Sequence, residues 1–172
     1  MKALIVYYSS TGNTEEVSTV LEECLCKRNV ECKRLRITSI EESEQSSNLL
    51  FKVVRSLTGK ETPIKNCKFN PDDYDYIFMG TPVWAAQPTP SFNAFLNQLP
   101  EMHGQKICPF VTMGGMGDKS TIAKIRRKVE AKGGCMHASL SLKMDKGVME
   151  EHVNSIEDFI QTQVMENEAA LH

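Results

Sequence analysis

The chain has 172 residues, a length that suits one domain able to bury its own core without disulfides or metals. Its 20 Lys and Arg against 22 Asp and Glu leave a formal charge of −2, so no global field draws it to nucleic acid or to an anionic membrane. No stretch could span a bilayer, and the apolar start from Ala3 to Tyr8 is too short for a signal-peptide core, so a soluble, cytoplasmic protein is expected.

Ala3-Leu4-Ile5-Val6-Tyr7 is a continuous apolar run before a polar turn, the pattern of a strand buried on both faces. From Thr14 onward Val17, Val20, Leu21 and Cys24 recur at helical spacing, with Glu15 and Glu16 in the first turn complementing the helix dipole. Val30 to Ile37 is mixed and charged, which suits an edge strand. Leu49, Leu50, Val53, Val54 and Leu57 mark a second helix that Gly59 can end.

After a polar loop, Tyr76-Ile77-Phe78-Met79 predicts a second central strand ending at Gly80. Phe92, Phe95, Leu96 and Leu99 fit one face of a third helix, and Ile107 to Val111 a third buried strand. Pro109 cannot donate to a sheet ladder, so it belongs at that strand's start or at a bulge. Ile122, Ile125 and Val129 face inward on a helix stopped by Gly133-Gly134, with Lys124, Arg126, Arg127 and Lys128 as its solvated outer face. Ala138, Leu140, Leu142 and Met144 alternate with Ser139, Ser141 and Lys143, as in a half-exposed strand. Val153, Ile156 and Phe159 open a last helix; residues 1–165 read as the domain and the polar tail 166–172 is expected to fray.

Five strands alternating with five helices imply an α/β fold: a doubly wound parallel sheet covered on both faces. Strands one, three and four are apolar throughout, whereas two and five are mixed and belong at the edges, which gives the order 2-1-3-4-5. Ligands of such sheets bind outside the carboxyl ends of strands one and three.

Three loops lie there. Ser9-Ser10-Thr11-Gly12-Asn13-Thr14 offers four hydroxyls, a glycine and an amide at a helix N-terminus, with no lysine or arginine. Free amides and the helix dipole suit a phosphate monoester, whereas the spacing of a P-loop or of a dinucleotide fingerprint is absent. Taken alone, the loop reads equally well as a helix cap formed by Thr11, Asn13 or Thr14. Gly80-Thr81-Pro82-Val83-Trp84-Ala85-Ala86-Gln87-Pro88 carries the single tryptophan, a surface for a flat heterocycle or a partly buried core side chain. Thr112-Met113-Gly114-Gly115-Met116-Gly117 has three glycines that allow close backbone approach.

The six cysteines show no metal-site spacing and read as reduced thiols; Cys24 and Cys26 point to different helix faces, which disfavours a disulfide between them. None of the four histidines falls in a ligand loop, so no catalytic residue and no metal site are assigned.

Tyr7-Tyr8-Ser9-Ser10-Thr11-Gly12-Asn13-Thr14, Gly80-Thr81-Pro82-Val83-Trp84 and Phe110-Val111-Thr112-Met113-Gly114-Gly115-Met116-Gly117 resemble the three ligand loops of the flavodoxin-like superfamily, and the resemblance runs over nearly the whole chain. It implies flavin mononucleotide (FMN) held non-covalently, with Ser9, Ser10, Thr11, Gly12, Asn13 and Thr14 around the phosphate. Thr81, Pro82, Val83, Trp84, Ala85 and Ala86, with Thr112, Met113, Gly114 and Gly115, would then frame the ribityl chain and ring. No interruption of strand five is visible, so the chain looks like a short-chain member.

Three features depart from that pattern. The charge of −2 is far from the strong acidity that guides flavodoxins to their partners. Met113 and Met116 stand where a second ring-sandwiching aromatic is expected, and Ala85-Ala86 replaces the glycine that eases a peptide flip beside the flavin. These departures move weight from an electron carrier serving redox partner proteins toward an NAD(P)H-dependent FMN reductase of quinones or similar flat acceptors. A third alternative is a scaffold without flavin that serves as an interaction module; a monomer or homodimer suits any of the three.

Overall fold

The computed structural model describes residues 1–40, 63–65, 67–144 and 147–165. In chain order its elements are β1 (Lys2–Tyr7), α1 (Asn13–Cys26), β2 (Glu31–Arg36), β3 (Tyr76–Trp84), β4 (Gln87–Pro88), α2 (Pro90–Asn97), β5 (Lys106–Met113), α3 (Asp118–Glu130), β6 (Cys135–Met136), β7 (Leu140–Lys143) and α4 (Glu150–Asp158). A π-helical segment, Phe159–Met165, continues α4. The helix expected around Leu49 to Leu57, with its stop at Gly59, and the tail 166–172 lie outside the described residues.

Alternation along β1 divides the core in two. Ala3, Ile5 and Tyr7 face α1 and α4, where they join Val17, Leu21, Phe78 and Ile156. Leu4, Val6 and Tyr8 face α2 and α3 with Phe92, Phe95, Ile125 and Val129. Each fully buried side chain of this size contributes about 1.5–3 kcal/mol, which is why a strand apolar on both faces lands between two helical layers.

The sheet runs β2-β1-β3-β5, with β6 and β7 both paired to the far side of β5, and every one of these pairings is parallel. This is the expected order 2-1-3-4-5, with the fifth strand built in two pieces and β4 added as a short antiparallel partner of β3. The central strands outrun the sequence reading: β3 continues past Gly80 to Trp84, and β5 past Val111 to Met113.

The expectation for Pro109 needs correction, because it sits inside β5 opposite Met79 rather than at the strand's start. The Ile107 and Met113 carbonyls accept from His137 and Met144, so the odd-numbered residues of β5 turn their backbone polar groups toward the edge strand. Pro109 therefore aims its missing N–H at the break between β6 and β7. Met136 pairs with Ile107 and Leu140 with Phe110, so the edge strand carries one extra residue there. The bulge lies in the neighbour, where no donor from Pro109 is required.

Two glycines are fixed by contacts. A Cβ on Gly80 would fall 2.1 Å from Cζ of Phe110, whose ring lies across it, and Gly133, at φ +82, ends the turn after α3 against the Met102 carbonyl. At the start of α4 the buried His152 accepts from the Met149 N–H at Nδ1 (3.0 Å) and donates from Nε2 to the Lys143 carbonyl (2.9 Å), locking the helix to the end of β7.

Candidate functional site

The N-terminus of α1 separates the two readings of the polar loop. Gly12 stands at the cap position with φ +98, and no side chain makes a capping hydrogen bond, although Thr11, Asn13 and Thr14 are all at hand. By contrast α2 opens with Pro90 and takes the Thr89 hydroxyl as its cap, the residue type expected there. The helix-cap alternative for Thr11, Asn13 and Thr14 is thus not realised. The side chains that could close the helix are used elsewhere: Ser9 Oγ, buried, accepts from the Gly12 N–H (3.1 Å), and Thr14 Oγ1 bonds to Thr112 Oγ1 (2.8 Å) at the end of β5. Among the described residues no side chain therefore caps the first amides of α1, where the positive end of its dipole lies.

After Trp84 the chain reverses through Ala85 and Ala86 into β4, with Trp84 paired to Gln87. Both alanines have positive φ, +49 and +58, the requirement of a two-residue type I′ hairpin, which glycine or asparagine normally fills. Each costs about 1–2 kcal/mol relative to an ordinary backbone. Gly117, at φ +108, lies so close that a Cβ there would meet Ala86 Cα at 2.7 Å, so the loop after β5 clamps the hairpin turn. Trp84 is half-buried, its ring edge-on to the buried Tyr8 at 6.5 Å and 89°.

These segments enclose a cleft of about 150 Å³. Thr11 and Asn13 reach it from the first loop, Pro82, Val83 and Trp84 from the end of β3, and Thr112, Met113 and Gly114 from the end of β5. A Cβ on Gly114 would project into open space, so the glycine leaves its backbone accessible. Other candidate residues support this arrangement from behind: Thr81 is fully buried, its hydroxyl against Thr89, while Ser9, Gly12 and Thr14 shape the first loop. Ser10, Ala85, Ala86 and Gly115 lie in the surrounding loops without lining the cleft. Met116 is 88% exposed and also off the cleft, whereas Met144, which the sequence reading left as a strand residue, lines it.

Sequence reasoning also missed a cation. Arg36, at the end of β2, places Nη1 on both Glu15 carboxylate oxygens (3.1 and 2.9 Å) and Nη2 on the Ser9 carbonyl (3.4 Å). Tyr7 donates its hydroxyl to the same Glu15 carboxylate at 3.1 Å; burial, then Glu15, pushes its phenol above the ordinary value. The loop contains no basic residue, yet Glu15 in the first turn of α1 is paired with a cation from the neighbouring strand. Alternation in β2 holds the signal, since Cys32, Arg34 and Arg36 share the α1 face.

A parallel sheet wound on both faces, with an uncapped helix N-terminus, an aromatic hairpin and a glycine loop gathered at its carboxyl edge, defines an open α/β protein with a cleft at its topological switch point. Residues 2–155 match the flavodoxin family, and the chain belongs to it. No curated protein matches it in sequence. Solved structures with the same fold include a Bacteroides eggerthii protein described as a flavoprotein, 17% identical, with a TM-score of 0.69 over 95% of this chain and 98% of that one. A flavodoxin of Streptococcus pneumoniae TIGR4 is 16% identical, with a TM-score of 0.66 over 96% and 99%. A flavoprotein of Lactobacillus acidophilus NCFM, crystallised in complex with FMN, is 20% identical, with a TM-score of 0.62 over 81% and 92%.

Proposed function

We propose that the cleft holds FMN non-covalently, with its phosphate on the N-terminus of α1 and its ring beside Trp84, and that the protein carries electrons between redox partner proteins in the cytoplasm. The observation that carries this reading is the uncapped start of α1, bordered by hydroxyl side chains that leave its amides free. Family membership and the FMN complex of the Lactobacillus acidophilus flavoprotein support it. The donor set fits a phosphate monoester: helix amides, the Thr11 hydroxyl and the Asn13 amide, with Arg36 offsetting Glu15 nearby. FMN, when bound, supplies the redox chemistry, exchanging one or two electrons.

The chain's own residues bind and orient. The α1 dipole holds the phosphate and Trp84 offers its face to the ring, with Met113 and Met144 lining the same cleft. No side chain has to act as acid or base. No helix among the described residues is long and apolar enough to cross a membrane.

A second reading, an NAD(P)H-dependent reductase of quinones or similar flat acceptors, draws on one observation: Trp84 is the single aromatic side chain lining the cleft among the described residues. Methionine beside the ring in place of a second aromatic leaves room for an acceptor to stack. A visible spectrum followed by anaerobic addition of NADH or NADPH separates the readings. Bleaching only through a partner reductase supports the carrier, and rapid bleaching by the pyridine nucleotide alone supports the reductase. A colourless protein that FMN cannot reconstitute overturns both. Size-exclusion chromatography decides between the monomer and the homodimer.

A further inference from the structure

Helix α1 and strand β2 run in opposite directions and meet in a ladder. Glu15 pairs with Arg36 (2.9 Å), and Arg34 pairs with Glu22 (2.7 Å) and Thr19 (2.7 Å). One step further, Cys26 stands four residues beyond Glu22 on the helix, and Cys32 two residues before Arg34 on the strand. From Glu22 to Cys26 the helix rises about 6 Å and from Arg34 to Cys32 the strand covers about 6.6 Å, so this step keeps the two elements level. The third rung is therefore a pair of thiols, near enough that Cys26, after burial, helps to raise the Cys32 thiol.

We propose that Cys26 and Cys32 form a reversible disulfide, a peroxide-responsive dithiol at the end of α1 remote from the ligand cleft. Cys26 ends α1 and is exposed; Cys32 is half-buried, with its thiol also 3.6 Å from the Val30 carbonyl. Asn29, at φ +59, turns the chain between them, and the Val30 N–H returns to the Leu25 carbonyl, which holds the two ends of the turn together. On its far side Cys32 borders a cleft of about 240 Å³, also lined by Lys2, Glu31 and Tyr74, through which a small reducing thiol can approach.

Position assigns the roles. Cys26 is exposed and Cys32 half-buried, so Cys26 is the sulfur that peroxide reaches first. Its thiolate attacks hydrogen peroxide: an S–O bond forms, the O–O bond breaks, and the departing hydroxide takes up a proton as water. The Cys32 sulfur then attacks Cys26, forming S–S, breaking S–O and releasing a second water. Two thiols lose two electrons in all, and one peroxide gains them. The product staples the last turn of the helix whose first turn forms the polar loop.

The test is peptide mapping of the full-length protein after treatment with equimolar hydrogen peroxide and trapping of free thiols. The expected product is an intramolecular Cys26–Cys32 peptide lighter by two hydrogens, reversed by dithiothreitol. It is lost in Cys26→Ser and Cys32→Ser and kept in Cys135→Ser, whose exposed thiol is the control. Over-oxidation of Cys26 while Cys32 remains alkylatable, linkage of Cys26 to Cys135 or to a second chain, or no oxidation of either thiol overturns the proposal.

Discussion

The hydroxyls of Thr14 and Thr112, 98 residues apart in sequence, meet in a buried hydrogen bond of 2.8 Å. The contact joins the first turn of α1 to the end of β5, so two of the three segments around the cleft are fixed to each other before any ligand arrives.

Replacing either threonine with valine leaves the other hydroxyl buried without this partner, at a cost of about 1–3 kcal/mol. Replacing both removes the orphan and costs less than the sum. Urea unfolding of all four proteins measures the coupling, and strictly additive losses would mean that the hydroxyls do not depend on each other.

The FMN reading makes a discriminating demand of the first loop. Thr11→Ala combined with Asn13→Ala is expected to weaken FMN by about tenfold or more, the worth of hydrogen bonds to a charged group, while riboflavin binding changes little. Fluorescence titration of the apoprotein with each flavin gives the comparison. Equal losses for both would place the phosphate elsewhere.

Arg36→Met exposes the Glu15 charge to the incoming phosphate and releases the Ser9 carbonyl. Because the pair is part-exposed, the expected loss of FMN affinity is modest, about threefold, and shrinks with added salt. Glu15→Gln in the same background should restore binding. Failure of that rescue would assign Arg36 a purely structural role.

Gly80→Ala forces a methyl group into the ring of Phe110, and a loss of about 1–3 kcal/mol is expected. Phe110→Leu makes room, so the double variant should be more stable than the sum of the single losses predicts. Thermal unfolding of the set decides it; a Gly80→Ala protein as stable as the parent would show that the ring moves aside freely.

The buried Cys108 and the half-buried Cys67 set an alkaline limit. Burial pushes Cys108 up to about 12 and Cys67 to about 11 from the ordinary 9.0. The folded protein therefore keeps protons that the unfolded chain gives up above pH 9, so stability falls as pH rises from about 9 to 12 and is unaffected below. Chemical denaturation across that range should show the decline, and Cys108→Ala, though less stable at neutral pH, should show a shallower one. A flat profile for the parent contradicts the assignment.

Much of the architecture is legible in the sequence because it rests on patterns local to one strand. The continuous apolar runs at Ala3–Tyr7 and Tyr76–Met79 predict central strands, and the charged Val30–Ile37 predicts an edge. Relationships between strands were hidden. Pro109 is tolerated inside β5 because of an extra residue in its neighbour, and Arg36 reaches the first loop only through the pairing of β2 with β1. The cleft shows the same division: composition marks the loop after β1 and the segments at the ends of β3 and β5, whereas Met144 lines it because its strand lies beside β5. Likewise Ala85 and Ala86 gave no turn signal, because alanine is an uncommon occupant of positive φ.

The ladder between α1 and β2 also restricts how this chain can vary in length. A residue inserted or deleted between Glu15 and Glu22 would rotate the rest of the helix by about 100°, carrying Glu22 and Cys26 away from Arg34 and Cys32 in a single step. Side chains along this face can be exchanged one at a time, but a change in length shifts every later rung at once. Indels in this part of the gene should therefore be far less well tolerated than point substitutions.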